Sequence, residues 1–471
     1  VHSHSDLMLL VEPKAEQKIM QGITTEILGQ DGLSVAPLPV SILESWKKQL
    51  AGLLGTPKIE WDWISVADYF QRLERGGTAT NVAYLVPHGA VRACVMQFDD
   101  RSPTTKELAQ MQDLVDQSMR DGAIGLSTGL IYPPCTYAKG TAELITLCRR
   151  VATFRGVFVI HMRNESDYIM EALSETIEVG KEAGVAVHIS HLKVAGRRNW
   201  DKIGRVLKQI DEARSQGIDI TFDQYPYIAG STMLAAVLPP WVMVGGIEEA
   251  LKRLKDPKER AKIKRDIDQG IPGWENIVGR GDWSDILITY VPSEKNRQFM
   301  GKRIPEIANH VDKDPADTTF DLLIEEDLAV SMVTFWGSEA LVYTAMRHPH
   351  GMFATDGLLG GRPHPRIYGT YPRILGKYVR EDQIITLEEA VRKMTSFPAQ
   401  CFGFRDRGLI REGMAGDITI FDPDHVLDKA TFEDPIQFPE GIEYVIVNGV
   451  VVKEGNHHTG SLPGRVLRHQ R

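Results

Sequence analysis

Two histidines, His2 and His4, stand two residues apart at the start of the sequence. On an extended strand that spacing turns both imidazoles to one face, where they can grip a single ion. An HxH pair alone is a weak signal, but three residues far along the chain strengthen it. His161 follows the apolar run 157–160, His191 follows the run 185–190, and Asp356 follows 352–355. Each is expected at the carboxyl end of a β-strand. In a barrel of parallel strands those ends converge on one mouth, where enzymes of that architecture keep their active sites. Imidazole and carboxylate together suit zinc or a similar divalent ion. Such an ion polarises a carbonyl and lowers the pKa of bound water to about 7. Asp356 is expected to accept the proton of that water and pass it to a leaving amine, which is general acid/base work. The implied reaction is hydrolysis of an amide or ester.

A scaffold must bring these residues together, and the hydrophobic pattern supplies one. Short β-branched runs at 22–28, 83–86, 123–127, 156–160, 184–190, 219–223 and 351–355 alternate with amphipathic stretches at 106–120, 141–154, 168–183 and 201–216. Repeated βα units of this kind imply a parallel sheet with helical crossovers, and the expected class is α/β, a (β/α)8 TIM-like barrel. The stretch from about 234 to 327 breaks the rhythm and reads as an insertion. Runs at 285–291 and 328–334 are further strand candidates, so the barrel count stays open by one or two. In the charged stretch 252–266 acids interleave with lysines and arginines, the pattern of a solvated helix face. Segments 409–422 and 442–452 alternate apolar and polar residues around glycine turns, which suggests a small β-rich module. The expected division is a metal-dependent hydrolase barrel over 1–404 and a module over 405–471.

Composition excludes several classes. The 471 residues are 42% hydrophobic and 25% charged, as in ordinary globular proteins. The net charge of -9 would repel phosphate backbones, so no nucleic-acid partner is expected. No apolar run reaches 18 residues, and no membrane span is expected. Cys94, Cys135, Cys148 and Cys401 lie far apart, which fits unpaired thiols of a cytoplasmic protein. Cys135 has no paired base at a readable spacing and is expected to pack in the core. His188, three residues before His191, faces the other side of its strand and is given no role, nor are His457, His458 and His469 in the polar tail.

The motifs HSHSD, GITTEILGQDG, NVAYLVPHG, GLSTGLIYPP, IHMRNE, ISHLKVAG, FDQYPYIAGSTM, ATDG with HPRIYGTYPRIL, and EGMAGDITIFDP run from residue 2 to about 452. Together they resemble the D-aminoacylase (N-acyl-D-amino-acid deacylase) branch of the amidohydrolase superfamily. The resemblance implies a (β/α)8 barrel with a small β-sandwich, zinc at the barrel mouth, and hydrolysis of the N-acyl bond of a D-amino acid. It places the tightly bound zinc on His161 and His191, a second or vestigial site on His2 and His4, and the acid/base role on Asp356. Lys193, Tyr225, Ser231 and Arg366 would bind the substrate carboxylate, and a guanidinium fork with hydroxyl donors is also what physical chemistry selects for that group. A small-molecule substrate with a free carboxylate is the implied partner.

Two departures stand out. Where the family carries a metal-ligating cysteine between glycines, this chain reads Gly29-Gln30-Asp31-Gly32, so Asp31 takes the place of the thiolate. A carboxylate is a harder ligand and can change metal preference or number. Family members also carry several dozen residues before the HxH pair, including β-sandwich strands. The expectation is therefore that those strands are missing from the chain, with a separate N-terminal polypeptide or a homo-oligomer left open. The same site also suits cyclic amides, D-residue dipeptides or carbamoyl amino acids, and a non-catalytic metal-binding subunit is the alternative from another class.

Overall fold

The computed structural model describes residues 1–469. The last two residues of the expected module, Gln470 and Arg471, lie outside the described residues. Six strands come first: β1 Thr25–Leu28, β2 Asn81–Pro87, β3 Gly125–Gly129, β4 Val157–His161, β5 Ala186–Ile189 and β6 Ile220–Gln224. An excursion holds β7 Ala229–Met233, β8 Ile286–Tyr290 and β9 Ser331–Phe335, and the chain returns as β10 Gly351–Phe353. Seven strands pair in parallel in the order β1-β2-β3-β4-β5-β6-β10. Strands β2, β3, β4 and β6 are buried along their whole length, because helices cover one side and the barrel interior fills the other.

Residues 2–5 take the eighth position between β10 and β1. Ser3 bridges Gly357 in parallel, and the Asp356 N–H donates to His2 O at 3.0 Å. On the other side Ser3 and Ser5 donate to Glu26 of β1 at 2.6 and 2.8 Å. His2 and His4 thus turn to one face, as their spacing requires. The crossover helices follow ordinary local rules. Thr105–Asp121 starts from a capping box between Thr104 and Glu107, buries Met111, Val115 and Met119 at four-residue spacing, and stops at Gly122 with φ of 117°.

The runs at 285–291 and 328–334 form strands, but outside the barrel. They are β8 and β9, which join β7 in a separate antiparallel sheet of three strands, order β7-β9-β8. The excursion therefore starts at β7, a few residues earlier than the sequence pattern suggests. The charged stretch lies in helices Ile247–Lys255 and Pro257–Gln269, where Arg260 and Lys264 pair with Asp314, Asp317 and Asp321. After the barrel, β11 Ile418–Phe421, β12 Ile442–Val447, β13 Val450–Glu454 and β14 His457–His458 make an antiparallel sheet. Val426, Ile442, Val445, Val447 and Val452 pack with Ile19, Phe353, Ile374 and Tyr378 in one buried cluster, which fixes the sheet to the barrel. Among the described residues no helix is long and apolar enough to cross a membrane.

Candidate metal centre

The barrel brings all six expected ligands to its carboxyl mouth. His161 ends β4, Asp31 lies just past β1, His191 just past β5 and Asp356 just past β10. Asp31, His191 and Asp356 have positive φ of 55°, 37° and 47°. Left-handed backbone at such residues costs about 1–3 kcal/mol each and persists where the surroundings enforce it. For Asp31 the enforcement is close packing: Gly32 donates its N–H to Ser127 Oγ at 3.0 Å, and a Cβ on Gly32 would lie 2.6 Å from the buried Cys135 Sγ. Cys135 thus packs beneath the Asp31 turn. For His191 it is Asp223, whose Oδ1 accepts the His191 N–H at 2.7 Å. Asp223 Oδ2 is held in turn by His188 Nε2 at 2.9 Å. His188 does not face the other side of the strand as expected: it stands level with Val159, packs on Phe402 inside the barrel, and steadies the carboxylate that bends the chain at His191.

The side chains form two groups that share Asp31. In the first, His2 Nε2 and His4 Nε2 are 3.2 Å apart, Asp31 Oδ2 is 3.6 and 3.5 Å from them, and Asp356 Oδ1 is 3.4 and 3.3 Å from them. A tetrahedron with edges of about 3.3 Å has its centre about 2.0 Å from each corner, the bond length of zinc to imidazole nitrogen and carboxylate oxygen. In the second group His161 Nδ1 and His191 Nε2 are 2.9 Å apart, and Asp31 Oδ1 lies 3.9 Å from His191 Nε2. Asp31 Oδ1 is buried with no hydrogen-bond partner. The donor set fits zinc, with the Asp31 carboxylate spanning the two groups as a bridging ligand would.

Electrostatics agree with that reading. Burial opposes a charge on His4, but Asp31 and Asp356 outweigh it and raise its pKa to about 9, so this corner favours positive charge. Burial pushes His161 down to about 3 and keeps it the neutral imidazole a metal requires. Burial would raise Asp356, yet the Arg366 guanidinium 2.8 Å away holds it well below the usual carboxylate range.

The expected carboxylate binders surround the same mouth. Tyr225 Oη is buried without a partner beneath the Arg366 guanidinium, which lies 4.5 Å above the Tyr225 ring. Arg366 is fully buried, pairs with Asp356 and donates to Ser231 O at 3.0 Å. The Ser231 hydroxyl donates to Met332 O at 2.8 Å, so it offers the mouth only its lone pairs. Lys193 donates to Glu165 Oε2 at 2.6 Å. Lys193, Tyr225 and Ser231 line one narrow cavity with His4, Asp31, His161, His191 and Asp356, and Arg366 lies behind that lining. A larger cavity of about 500 Å³ lies between the barrel's other end and β11, and none of the six ligands reaches it.

Sequence reasoning missed four residues here. Glu165 Oε1 accepts from His191 Nδ1 at 3.2 Å and Oε2 lies 3.4 Å from His161 Nε2, so one buried carboxylate orients His191 and stands beside His161. Its signal was the acid four residues after His161 in IHMRNE. Asp223, at the end of β6, could have been suspected from its place in FDQYPY. Trp336, whose buried indole Nε1 has no partner, follows β9, and the buried Glu275 comes from the inserted stretch; neither had a pattern to reveal it.

Comparison with known proteins bears on the chain as a whole. The amidohydrolase family profile matches residues 1–453. The chain is 34% identical to a D-aminoacylase of Alcaligenes xylosoxydans xylosoxydans, covering 99% of this chain and 85% of the relative. It is 35% identical to an N-acyl-D-glutamate deacylase of the same organism, over 99% and 84%. A crystal structure of N-acyl-D-glutamate deacylase from Bordetella bronchiseptica, complexed with zinc and a phosphonate mimic of the tetrahedral intermediate, superposes with a TM-score of 0.82. That structure is 34% identical and is matched over 99% of this chain and 87% of its own.

Proposed function

The chain belongs to the amidohydrolase family, and on that premise we propose that it is a zinc-dependent hydrolase of N-acyl-D-amino acids, releasing a carboxylate and a free D-amino acid. The observation that supports this most is the pair of ligand groups sharing Asp31, in one cavity with Lys193 and Tyr225, with the Arg366 guanidinium stacked on Tyr225 and paired with Asp356. His2, His4, Asp31 and Asp356 would hold one zinc, and Asp31, His161 and His191 the other. Zinc bound there supplies Lewis-acid polarisation of the acyl carbonyl and a water acidic enough to ionise near neutral pH.

The protein's own groups do the rest. Asp356 is kept ionised by Arg366, takes up the proton of the attacking water and returns it to the leaving nitrogen. Tyr225 and Arg366 orient the substrate carboxylate, Lys193 adds a second positive charge, and Ser231 lines the same wall. Glu165 holds Lys193 and His191 in place and stands beside His161. The barrel unit is taken as 1–404 and the small module as 405–471. Four unpaired cysteines support a reducing, cytoplasmic setting. The test is release of free amino acid from paired N-acetyl-D- and N-acetyl-L-amino acids. D-selective release is expected, and equal or L-selective release would refute the assignment.

A further inference from the structure

Glu275 and Arg280 form an ion pair at the wall of the metal cavity, with side chains 1% and 7% exposed. Both come from the inserted stretch before β8. Each Glu275 oxygen is engaged: Oε1 accepts from Arg280 at 2.5 Å, and Oε2 accepts the Glu165 N–H at 2.7 Å and the Ser166 hydroxyl at 3.1 Å. Arg280 Nε is buried with no hydrogen-bond partner. Around this pair the cavity is apolar, lined by Leu53, Ile131 and Ile277 with the rings of Tyr132 and Trp336.

The two cations that line this cavity, Lys193 and Arg280, and the fully buried Arg366 behind its Asp356 wall are each matched to one internal carboxylate: Lys193 to Glu165, Arg366 to Asp356 and Arg280 to Glu275. The substrate's α-carboxylate draws on Lys193 and Arg366. A second carboxylate, on the substrate's side chain, could turn only to Arg280. It would meet a guanidinium already neutralised and, beside it, the negative charge of Glu275 in a low-dielectric wall. An apolar side chain meets none of that cost and gains contact with the surrounding aliphatic and aromatic groups.

We propose that Glu275 is a built-in occupant of Arg280, and that the pair makes the enzyme selective for N-acyl derivatives of apolar D-amino acids over those of D-glutamate and D-aspartate. The proposal rests on the deacylase reading and names its substrate class. Its experiment compares kcat/KM of the zinc-loaded enzyme for N-acetyl-D-leucine, N-acetyl-D-phenylalanine, N-acetyl-D-glutamate and N-acetyl-D-aspartate in wild type, Glu275→Gln, Arg280→Met and the double variant. Wild type is expected to favour the apolar pair by about tenfold or more. In Glu275→Gln the amide oxygen still accepts from Glu165 N–H while the guanidinium is released, so the ratio should move about tenfold or more towards D-glutamate, mainly through KM. Arg280→Met should keep the wild-type order, and the double variant should lose the gain. A wild type that prefers the acidic substrates would overturn the proposal. So would a Glu275→Gln variant, folded and zinc-loaded, that slows all four substrates alike, since the pair would then be only a latch on Glu165. Release from none of the four by zinc-loaded wild type would instead defeat the deacylase reading itself.

Discussion

Glu165→Gln removes one charge from the point where substrate recognition and the second ligand group meet. The carboxylate touches three buried groups: Lys193 Nζ at 2.6 Å, His191 Nδ1 at 3.2 Å and His161 Nε2 at 3.4 Å. A histidine that ligates through Nε2 carries its proton on Nδ1, and Glu165 is the acceptor for that proton. Loss of a carboxylate behind metal-binding histidines typically lowers metal affinity 10–100-fold, about 1.4–2.7 kcal/mol. Lys193 loses its counter-ion at the same time, and breaking a buried pair from one side costs about 3–5 kcal/mol of stability. The variant should therefore need 10–100-fold more free zinc for half-occupancy in chelator competition. It should also unfold at lower denaturant than wild type. Because Gln keeps the shape of Glu, a loss of zinc affinity can be assigned to charge and hydrogen bonding rather than to a cavity. Zinc affinity within twofold of wild type would refute the role given to Glu165.

Asp356→Asn should lower turnover by about 10²–10⁴-fold while zinc stays on the Asp31, His161 and His191 group, measured as metal per chain beside kcat. Asp31→Asn strikes both ligand groups at once and should deplete metal more than His4→Asn, which strikes one. Equal depletion would argue against a shared carboxylate. Away from the centre, His88 is buried against Glu143 at 2.8 Å. Burial disfavours its charge, but contacts with Cys135 and Glu143 prevail and raise its pKa to about 9. The folded state then binds a proton that the unfolded chain releases near pH 6.5, so this contribution is complete below that pH and lost as pH rises through 9. About 3 kcal/mol of stability should disappear between pH 6 and 10 in wild type and not in His88→Gln, read from urea unfolding at each pH. The same pH slope in both proteins would remove His88 as the cause.

The barrel strands were legible because parallel strands buried on both faces must be continuous apolar runs, and the ligands were legible because each follows such a run. His2 and His4 could be read from their spacing together with those strand ends. Asp31 could not, since its role depends on a turn packed against Ser127 and Cys135 nearly a hundred residues away in sequence. The strands at 285–291 and 328–334 were visible, but their partner was not: pairing with β7 rather than with the barrel is a long-range choice that no local pattern encodes. Glu165 and Glu275 went unseen for a similar reason. A lone acid in a sequence looks like a surface residue until the fold buries it against a lysine, an arginine or a pair of imidazoles.

The most direct measurement is zinc per chain in the purified protein, taken with the rate of amino-acid release from N-acetyl-D- and N-acetyl-L-leucine before chelation, after chelation and after zinc is returned. The ligand geometry predicts bound zinc, D-selective release that is lost with the metal, and recovery when it is restored. Release that persists at full rate in metal-free protein, or a chain that takes up no zinc at all, would contradict it.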